Sequence, residues 1–521
     1  VKEFMVNSEY SINFKRGLWK KNHDEYHIVE NKQKNQLTQP KVTVITPVYN
    51  AEKFLRKTIE SVISQTMGME NIEYILIDDG SKDASRKILL DYSNKYPTIK
   101  IVLLKYNTGT PGHPRNIGIQ LAISKYICFL DADDWLEPHG LETLVKILEE
   151  TGDDYVVGKT IEIQSNGSKI VGEHESYKER RSVSPYSIPN IFQHLGPRAR
   201  MCRTDLLKKY QISFPKMKFA EDKQFFIDVL TFCKTISTTT ATIYYLNRKD
   251  DNSLRLTNQT NIIQKTRCNL KVIRHVKSKK LDVAHEKVIL NRLYEFDSIS
   301  RFFNTPHFQR TKLKFIYYYL FKIVLKTTSS LNYEFSDNFI EPINGVLYEL
   351  FKKKRYKDFV KLLEWNKREK VKEIIIKNEL PYMVAPFLDE PLRFIPTSLY
   401  AELKEECILE DKYILHFKVY GSYVHSINEV IIRNSKNALL EYVQPITVDK
   451  EGNGKFRLDL ELLEHFPPSN YSIFLRFNDY RKVNIRKLDT RTYKETFQNR
   501  EYIFYQTVYS NVGLKIVKET N

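Results

Sequence analysis

At 521 residues the chain is too long for one ordinary domain and suits two to four, each with a buried core. Its 33 tyrosines and 29 phenylalanines exclude disorder as the default state. Lysine and arginine outnumber the acids 82 to 64, a formal charge of +18, which favours anionic partners such as nucleic acid, phosphorylated polymers or an acidic membrane face; a solvated, lysine-rich surface is the plainer source of the same excess.

The first 40 residues are polar and mixed in charge, and "NKQKNQLTQP" reads as a linker. No apolar leader is visible there, so a cytoplasmic chain is expected. The cysteines, Cys128, Cys202, Cys233, Cys268 and Cys407, are odd in number and form no CxxC pair, which speaks against a disulfide framework or zinc site and fits a reducing compartment.

From Lys41 strand and helix alternate. "KVTVITPVY" is an apolar, β-branched run, and "NAEKFLRKTIESVISQT" sets Phe54, Leu55, Ile59, Val62 and Ile63 on one helical face behind Asn50 as the expected N-cap. "IEYILIDDGS", "IKIVLL" and "YICFLDADD" supply further buried strands, with "DASRKILLDYSNKY" and "HPRNIGIQLAIS" as helices between them. Such alternation predicts a mainly parallel, Rossmann-like α/β sheet covered on both faces, with ligands at the carboxyl ends of its strands. Those ends carry "TPVYN", "DDGS", "NTGTPGHPRN" and "DADD", four polar clusters in register.

Residues 259–384 read as a helical, lysine-rich linker region. Its apolar run "FIYYYLFKIVL", Phe315–Leu325, is broken by Lys322 and too short to span a bilayer. Flanking Lys312, Lys314 and Lys326 would suit a helix lying on a membrane, although a buried helix is the favoured reading. Residues 385–521 show short alternating strands and turn signals such as "KEGNG", which predict an antiparallel β-sandwich.

In "FLDADDWLEP", Asp131 and Asp133 are two apart, so on extended backbone they would point the same way and share a cation, with Asp134 turned away. All-oxygen ligands select Mg2+ or Mn2+, which also takes substrate phosphates.

These blocks, with "FAEDKQFFIDVL", resemble in order those of the family 2 inverting glycosyltransferases of GT-A fold over roughly Lys41 to Leu256. "GTPGHPRN" and "ISFPKMKFAEDKQF" are most similar to the bacterial wall teichoic acid glycosyltransferases. The resemblance implies a GT-A domain over 41–258 that moves a sugar (glucose, N-acetylglucosamine or N-acetylgalactosamine) from a UDP-sugar to an anionic polyol-phosphate polymer at the inner membrane face. It implies a homo-oligomer, a trimer being the preferred number, with the C-terminal β-domain serving oligomerisation or polymer binding, and no nucleic acid partner. Backbone near Pro47, Val48 and Tyr49 would hold the nucleotide, Asp79 would accept from uracil N3, and Asn107 and Arg115 would contact the nucleotide. Asp131 would lie near ribose or sugar, Asp133 on the metal, Glu221 in the sugar pocket, and Asp222 would be the general base. "YYLNRKDDNSL" nominates Arg248 and Ser253 in a closing loop, although Asn252 stands where relatives often carry histidine.

The chemistry agrees with those roles. A nucleoside diphosphate leaves when its charge is neutralised, an acceptor hydroxyl attacks when a carboxylate takes its proton, and one base without an enzymic nucleophile means inversion. A Glu221/Asp222 hydrolase pair is disfavoured because adjacent helical residues diverge by about 100°. The remaining alternatives are a capsule or other polysaccharide acceptor, or an inactive polyanion-binding protein.

Overall fold

The computed structural model describes residues 10–16, 25–31, 39–249 and 261–518. The chain divides into two units, residues 1–165 with 170–290, and residues 166–169 with 291–521.

The first unit is a mixed sheet with helices. Its strands are β1 (Tyr10–Arg16), β2 (Glu25–Asn31), β3 (Val42–Val48), β4 (Ile72–Asp78), β5 (Ile99–Leu104), β6 (Tyr126–Phe129), β7 (Trp135–Leu136), β8 (Tyr155–Gln164), β9 (Gly167–Val171), β10 (Arg180–Val183), β11 (Arg200–Arg203) and β12 (Ile236–Arg248). Between them lie α1 (Leu55–Ile63), α2 (Ser85–Lys95), α3 (Gly112–Leu121), α4 (Gly140–Thr151), α5 (Glu173–Ser176), α6 (Thr204–Lys209) and α7 (Glu221–Phe232). Hydrogen bonding orders the strands β1-β2-β5-β4-β3-β6-β11-β8-β12-β10, with β7 on β12 and β9 on β8.

The central strands β5, β4, β3 and β6 are parallel. β4 is buried at every position and β3 at all but Pro47, as expected of strands covered on both faces rather than one. α3 packs on β3 and β4, and its Gly118 permits the approach, because a Cβ there would lie 2.5 Å from Ile45 Cγ2. The parallel run delivers four loops to one end of the sheet, as the alternation of the sequence predicts.

Several local expectations change. Residues 25–31, expected within an arm or linker, run antiparallel to β5, and 10–16 pair with them, so the sheet gains an edge. Tyr26, Ile28 and Val29 are buried there, a signal too short to register among polar neighbours. Asn50 is not a helix cap: it sits at φ 48°, and α1 begins only at Leu55. Its side-chain oxygen accepts from Lys82 N (2.9 Å) while its own N–H donates to Ser81 Oγ (3.0 Å), clasping the first polar loop to the second. The first unit also runs past the expected boundary at 258, since the helix Ile262–Ser278 packs on α7, with His275 Nε2 2.7 Å and Lys279 Nζ 2.6 Å from Asp228.

The second unit is helical to Arg368. The helix Lys314–Leu325 buries Tyr317, Leu320, Phe321 and Val324 but leaves Phe315 and Tyr319 about two-thirds exposed, so it is buried along one face rather than all round. Strands begin before the expected boundary at 385, because Ile374–Lys377, Leu380–Val384 and Phe394–Pro396 form an antiparallel sheet. A larger, mainly antiparallel sheet follows from Leu399 to Lys518, its core joined by Tyr413 stacked on Phe504 at 3.6 Å. Within it Lys487 and Glu406 form a fully buried ion pair, and Tyr413 OH donates to Glu406. Among the described residues no helix is long and apolar enough to cross a membrane.

Gly118→Val is expected to push α3 off β3 and cost about 1–3 kcal/mol of stability through overpacking, read as a lower urea midpoint with an unchanged slope.

Candidate active site

The site forms at the carboxyl ends of β3, β4, β5 and β6, and the second of these carries adjacent acids with different fates. Asp78 is fully buried and accepts from Arg86 Nε (3.0 Å), Arg86 Nη2 (2.5 Å) and Ser81 N (3.2 Å). Asp79 turns to the next loop, accepting from Thr108 N (2.9 Å), Thr108 Oγ1 (3.0 Å) and Asn107 Nδ2 (3.2 Å). Burial pushes the Asp79 carboxyl up to about 6, with the Thr108 bonds opposing that rise and Asp78 adding to it. Gly80, at φ 73°, is required between the loops, since a Cβ would lie 2.8 Å from Asn107 N.

Val48 is buried, and its carbonyl accepts from Asp79 N (2.8 Å). Pro47 is half-buried beside it, whereas Tyr49 is 46% exposed at the rim. Asn107 also accepts from Gly109 N (2.8 Å), so its amide closes its own loop as well as touching Asp79.

"DADD" is not a strand. β6 stops at Phe129, and Asp134 N donates to Asp131 O (3.1 Å), closing a turn. The premise that extended backbone aligns Asp131 with Asp133 therefore fails. Asp131 accepts from Arg115 Nη2 at 2.6 Å. Asp134 is 1% exposed and accepts from Tyr244 OH (2.7 Å) and Asn247 N (2.8 Å). Burial, then Asp133 and Asp131, raises its carboxyl well above the ordinary range. Thr58 Oγ1 on α1 donates to the carbonyls of Ala132 (2.9 Å) and Asp134 (2.7 Å), fixing the turn from below.

Arg115 is 3% exposed on α3. Burial would lower its guanidinium, but Asp131, Glu221 and Asp222 outweigh that and hold it firmly charged. The last two open α7 and reach the site through Phe214. Asn116 on α3 donates to Phe214 O and accepts from Phe214 N, both at 2.8 Å, while the Phe214 ring stacks on Phe225 of α7 at 3.9 Å. A Cβ on Gly112 would lie 3.4 Å from Glu221 Cγ, so α3 and α7 meet closely here. Ala220 enters α7 at φ 66°, a left-handed conformation that costs about 1–2 kcal/mol for a residue with a Cβ. Burial, then Asp222, pushes the Glu221 carboxyl up to about 7, against the pull of Arg115.

Among the described residues no group of three or more histidine, cysteine or acidic side chains is placed to cage a metal. Asp131 accepts from Arg115, and Asp133 lies half-buried at the same turn. One carboxylate suits a magnesium-type ion, which keeps waters and binds substrate phosphates, and does not suit an ion held by protein alone. Arg248 ends β12 with Nη1 donating to Asn247 O (2.8 Å); Ser253 and Asn252 lie outside the described residues. Trp135 stacks on Tyr245 at 5.6 Å beneath Lys57. The sequence reading missed Thr108, Arg86 and Tyr244. The first stands in the loop "NTGTPGHPRN" and the second only eight residues past Asp78, whereas Tyr244 lies 110 residues from Asp134 with nothing in its spacing to mark it.

Residues 43–211 match the model of the family described as glycosyl transferase family 2. Among curated proteins, the chain is 32% identical over 212 residues to a poly(ribitol-phosphate) beta-glucosyltransferase of Bacillus spizizenii, covering 40% of this chain and 33% of that protein. It is 33% identical over 210 residues to the poly(ribitol-phosphate) beta-N-acetylglucosaminyltransferase TarP of Staphylococcus aureus, covering 40% of this chain and 62% of TarP. The chain thus spans between a third and three-fifths of these relatives. The crystal structure of S. aureus TarS is similar in fold, with a TM-score of 0.55 and 18% identity over 92% of this chain and 86% of TarS. A TarS 1–349 structure in complex with UDP-GlcNAc has a TM-score of 0.55 and 21% identity over 68% of this chain and 99% of that one.

Asp134 gives a pH test with a defined sign. A carboxyl raised on folding stabilises the native state below its unfolded value of about 3.9 and loses that contribution as pH rises toward its folded value. Unfolding free energy measured in urea from pH 4 to 7 is expected to fall, and Asp134→Asn to flatten the fall.

Proposed function

We propose that this chain, whose residues 43–211 form a family 2 glycosyl transferase domain, transfers a sugar from a UDP-sugar to a hydroxyl of wall teichoic acid or a similar polyol-phosphate polymer, inverting the anomeric centre. The observation that carries this reading is the convergence of Asp131, Glu221 and Asp222 on the desolvated Arg115 at the strand ends.

In this reading Asp79, held by Thr108 and Asn107, accepts from the uracil N3–H, and the backbone from Pro47 to Tyr49 lines the nucleotide. Arg115 orients Asp131 toward the ribose and adds positive charge near the diphosphate. Asp133 would hold Mg2+ or Mn2+, which when bound neutralises charge developing on the leaving diphosphate. Glu221, its carboxyl raised by burial and by Asp222, would offer a hydrogen bond to a sugar hydroxyl. Asp222 takes the acceptor hydroxyl's proton as that oxygen bonds to the anomeric carbon and UDP departs from the opposite face. Arg248, at the end of β12, would add positive charge toward the diphosphate, and Ser253, outside the described residues, keeps its expected role beside it.

The polymer's negative charge suits the +18 balance of the chain. Contact with the inner membrane face is supported by Phe315 and Tyr319, 65% and 64% exposed and four residues apart on one helix beside lysines. A homo-oligomer, trimeric by preference, is part of the same reading, with the C-terminal β-domain as its mediator or as a polymer holder.

The decisive assay is a donor panel of UDP-glucose, UDP-N-acetylglucosamine and UDP-N-acetylgalactosamine with poly(ribitol-phosphate), read as UDP release with Mn2+ or with EDTA. One donor is expected to turn over, EDTA to abolish it, and Asp222→Asn to lower kcat about 100-fold or more with donor affinity unchanged. Full transfer by both Asp222→Asn and Asp133→Asn would sink the assignment. Separately, Phe315→Ser/Tyr319→Ser is expected to reduce sedimentation with phosphatidylglycerol vesicles, and equal pelleting would remove the membrane contact.

A further inference from the structure

The second unit holds a cavity of about 430 Å3, within the roughly 300–1,000 Å3 of small-ligand sites. Stretches of chain within 370–383, 397–400, 472–486 and 507–512 wall it, so it opens where the small antiparallel sheet meets the larger one. Its apolar part includes Leu399 and Val512, both buried. Among the described residues that line it none is acidic, and two are cations, Lys370 and Arg486. The amides of Asn484 and Asn511, with serine and threonine hydroxyls, complete the polar part.

Arg486 is fixed in place but not neutralised. Its Nη1 donates to Tyr509 O (2.6 Å), one bond from a fork that carries five N–H donors. Glu402, opposite it on the neighbouring strand Leu399–Leu409, is engaged by Lys404 and accepts from Tyr420 OH (3.3 Å). Among the described residues neither Arg486 nor Lys370 has a carboxylate within ion-pair distance, and a half-buried guanidinium in that state favours an anion from solution. Charge alone would admit any anion. Amides and hydroxyls both give and take hydrogen bonds, so they match a ligand that carries hydroxyls beside its charge. Lys370 and Asn484 are exposed and Tyr509 is 52% exposed, which leaves the rim open to a chain that enters and leaves.

We propose that this cavity binds a phosphorylated polyol unit, and that the unit belongs to a segment of the phosphodiester-linked acceptor chain: Lys370 and Arg486 meet the phosphate, and the amides and hydroxyls meet the polyol. The inference rests on the polyol-phosphate acceptor of the reading above. Polymer is then held at a defined place in the second unit, by residues that are none of those at the strand ends of the first.

The test is calorimetric binding to the full chain, at fixed salt, of poly(ribitol-phosphate), of glycerol 3-phosphate as the single unit, and of phosphatidylglycerol vesicles as the lipid source of the same chemistry. Lys370→Ala removes a cation and Asn484→Asp sets a carboxylate in the cavity; both positions are exposed, so the fold is kept. Each is expected to raise the polymer Kd about tenfold, the size of a hydrogen bond to a charged group, and to weaken glycerol 3-phosphate likewise. Lys455→Ala removes the same charge from the strand Asn453–Asp459, three places from the Arg486 strand in the sheet, and is expected to leave Kd within about twofold, since exposed charges that far apart are screened. Affinities for polymer and single unit unmoved in both variants, or an equal loss in Lys455→Ala, overturn the inference. Loss of vesicle binding with polymer binding intact assigns the cavity to a lipid headgroup and overturns it as well. If poly(ribitol-phosphate) accepts sugar while both variants bind it normally, this inference fails alone. If the polymer is neither bound nor glycosylated while the variants still lose glycerol 3-phosphate, the acceptor reading fails and the phosphorylated-polyol pocket stands.

Discussion

A guanidinium stripped of water sets the terms for the first unit. Arg115 is buried against Phe214, 5.3 Å away, and a charge so placed is sustained only by opposite charge close at hand. Asp131 from the end of β6 and the two acids that open α7 provide it, so α3, the β6 turn and α7 are drawn to one point. The acids in turn tolerate one another because that cation lies among them. Without Arg115 the strand-end turn and the start of α7 would be repelling neighbours; with it they form one wall of a site.

A division of labour repeats among the paired acids. In "DDGS", Asp78 is turned inward and satisfied by Arg86, while Asp79 faces the loop that follows β5. In "DADD", Asp134 is sealed beneath the surface on Tyr244 and Asn247, while Asp131 and Asp133 stay partly exposed. In "AED", Glu221 is the more buried and Asp222 the more open. In the first two clusters the innermost carboxylate, Asp78 or Asp134, is used up in holding the local backbone, and its neighbours stay nearer the surface.

Much of this was legible in the sequence, and the limits are physical. The parallel strands announce themselves because burial on both faces leaves unbroken apolar runs, as in Ile72–Asp78. The four polar loops follow, since a parallel sheet delivers them to one end. The turn at Asp131–Asp134 was misread as extended because a tight turn after a strand carries no period, and only a hydrogen bond between backbone groups distinguishes it. The strand at 25–31 escaped because three buried residues, Tyr26, Ile28 and Val29, are too few to set a pattern among polar neighbours. Tyr244 was out of reach for another reason: its role depends on a contact across the 110 residues that separate it from Asp134, which local spacing does not encode.

By giving and taking a hydrogen bond with the backbone of Phe214, the amide of Asn116 imitates a rung of a β-ladder, and so bolts an irregular segment to α3. That segment leads into α7 and the two acids at its start, while Arg115 sits one residue before Asn116 on the same helix. The guanidinium and the acids around it thus share one fastening, and loss of the Asn116 amide would loosen both at once.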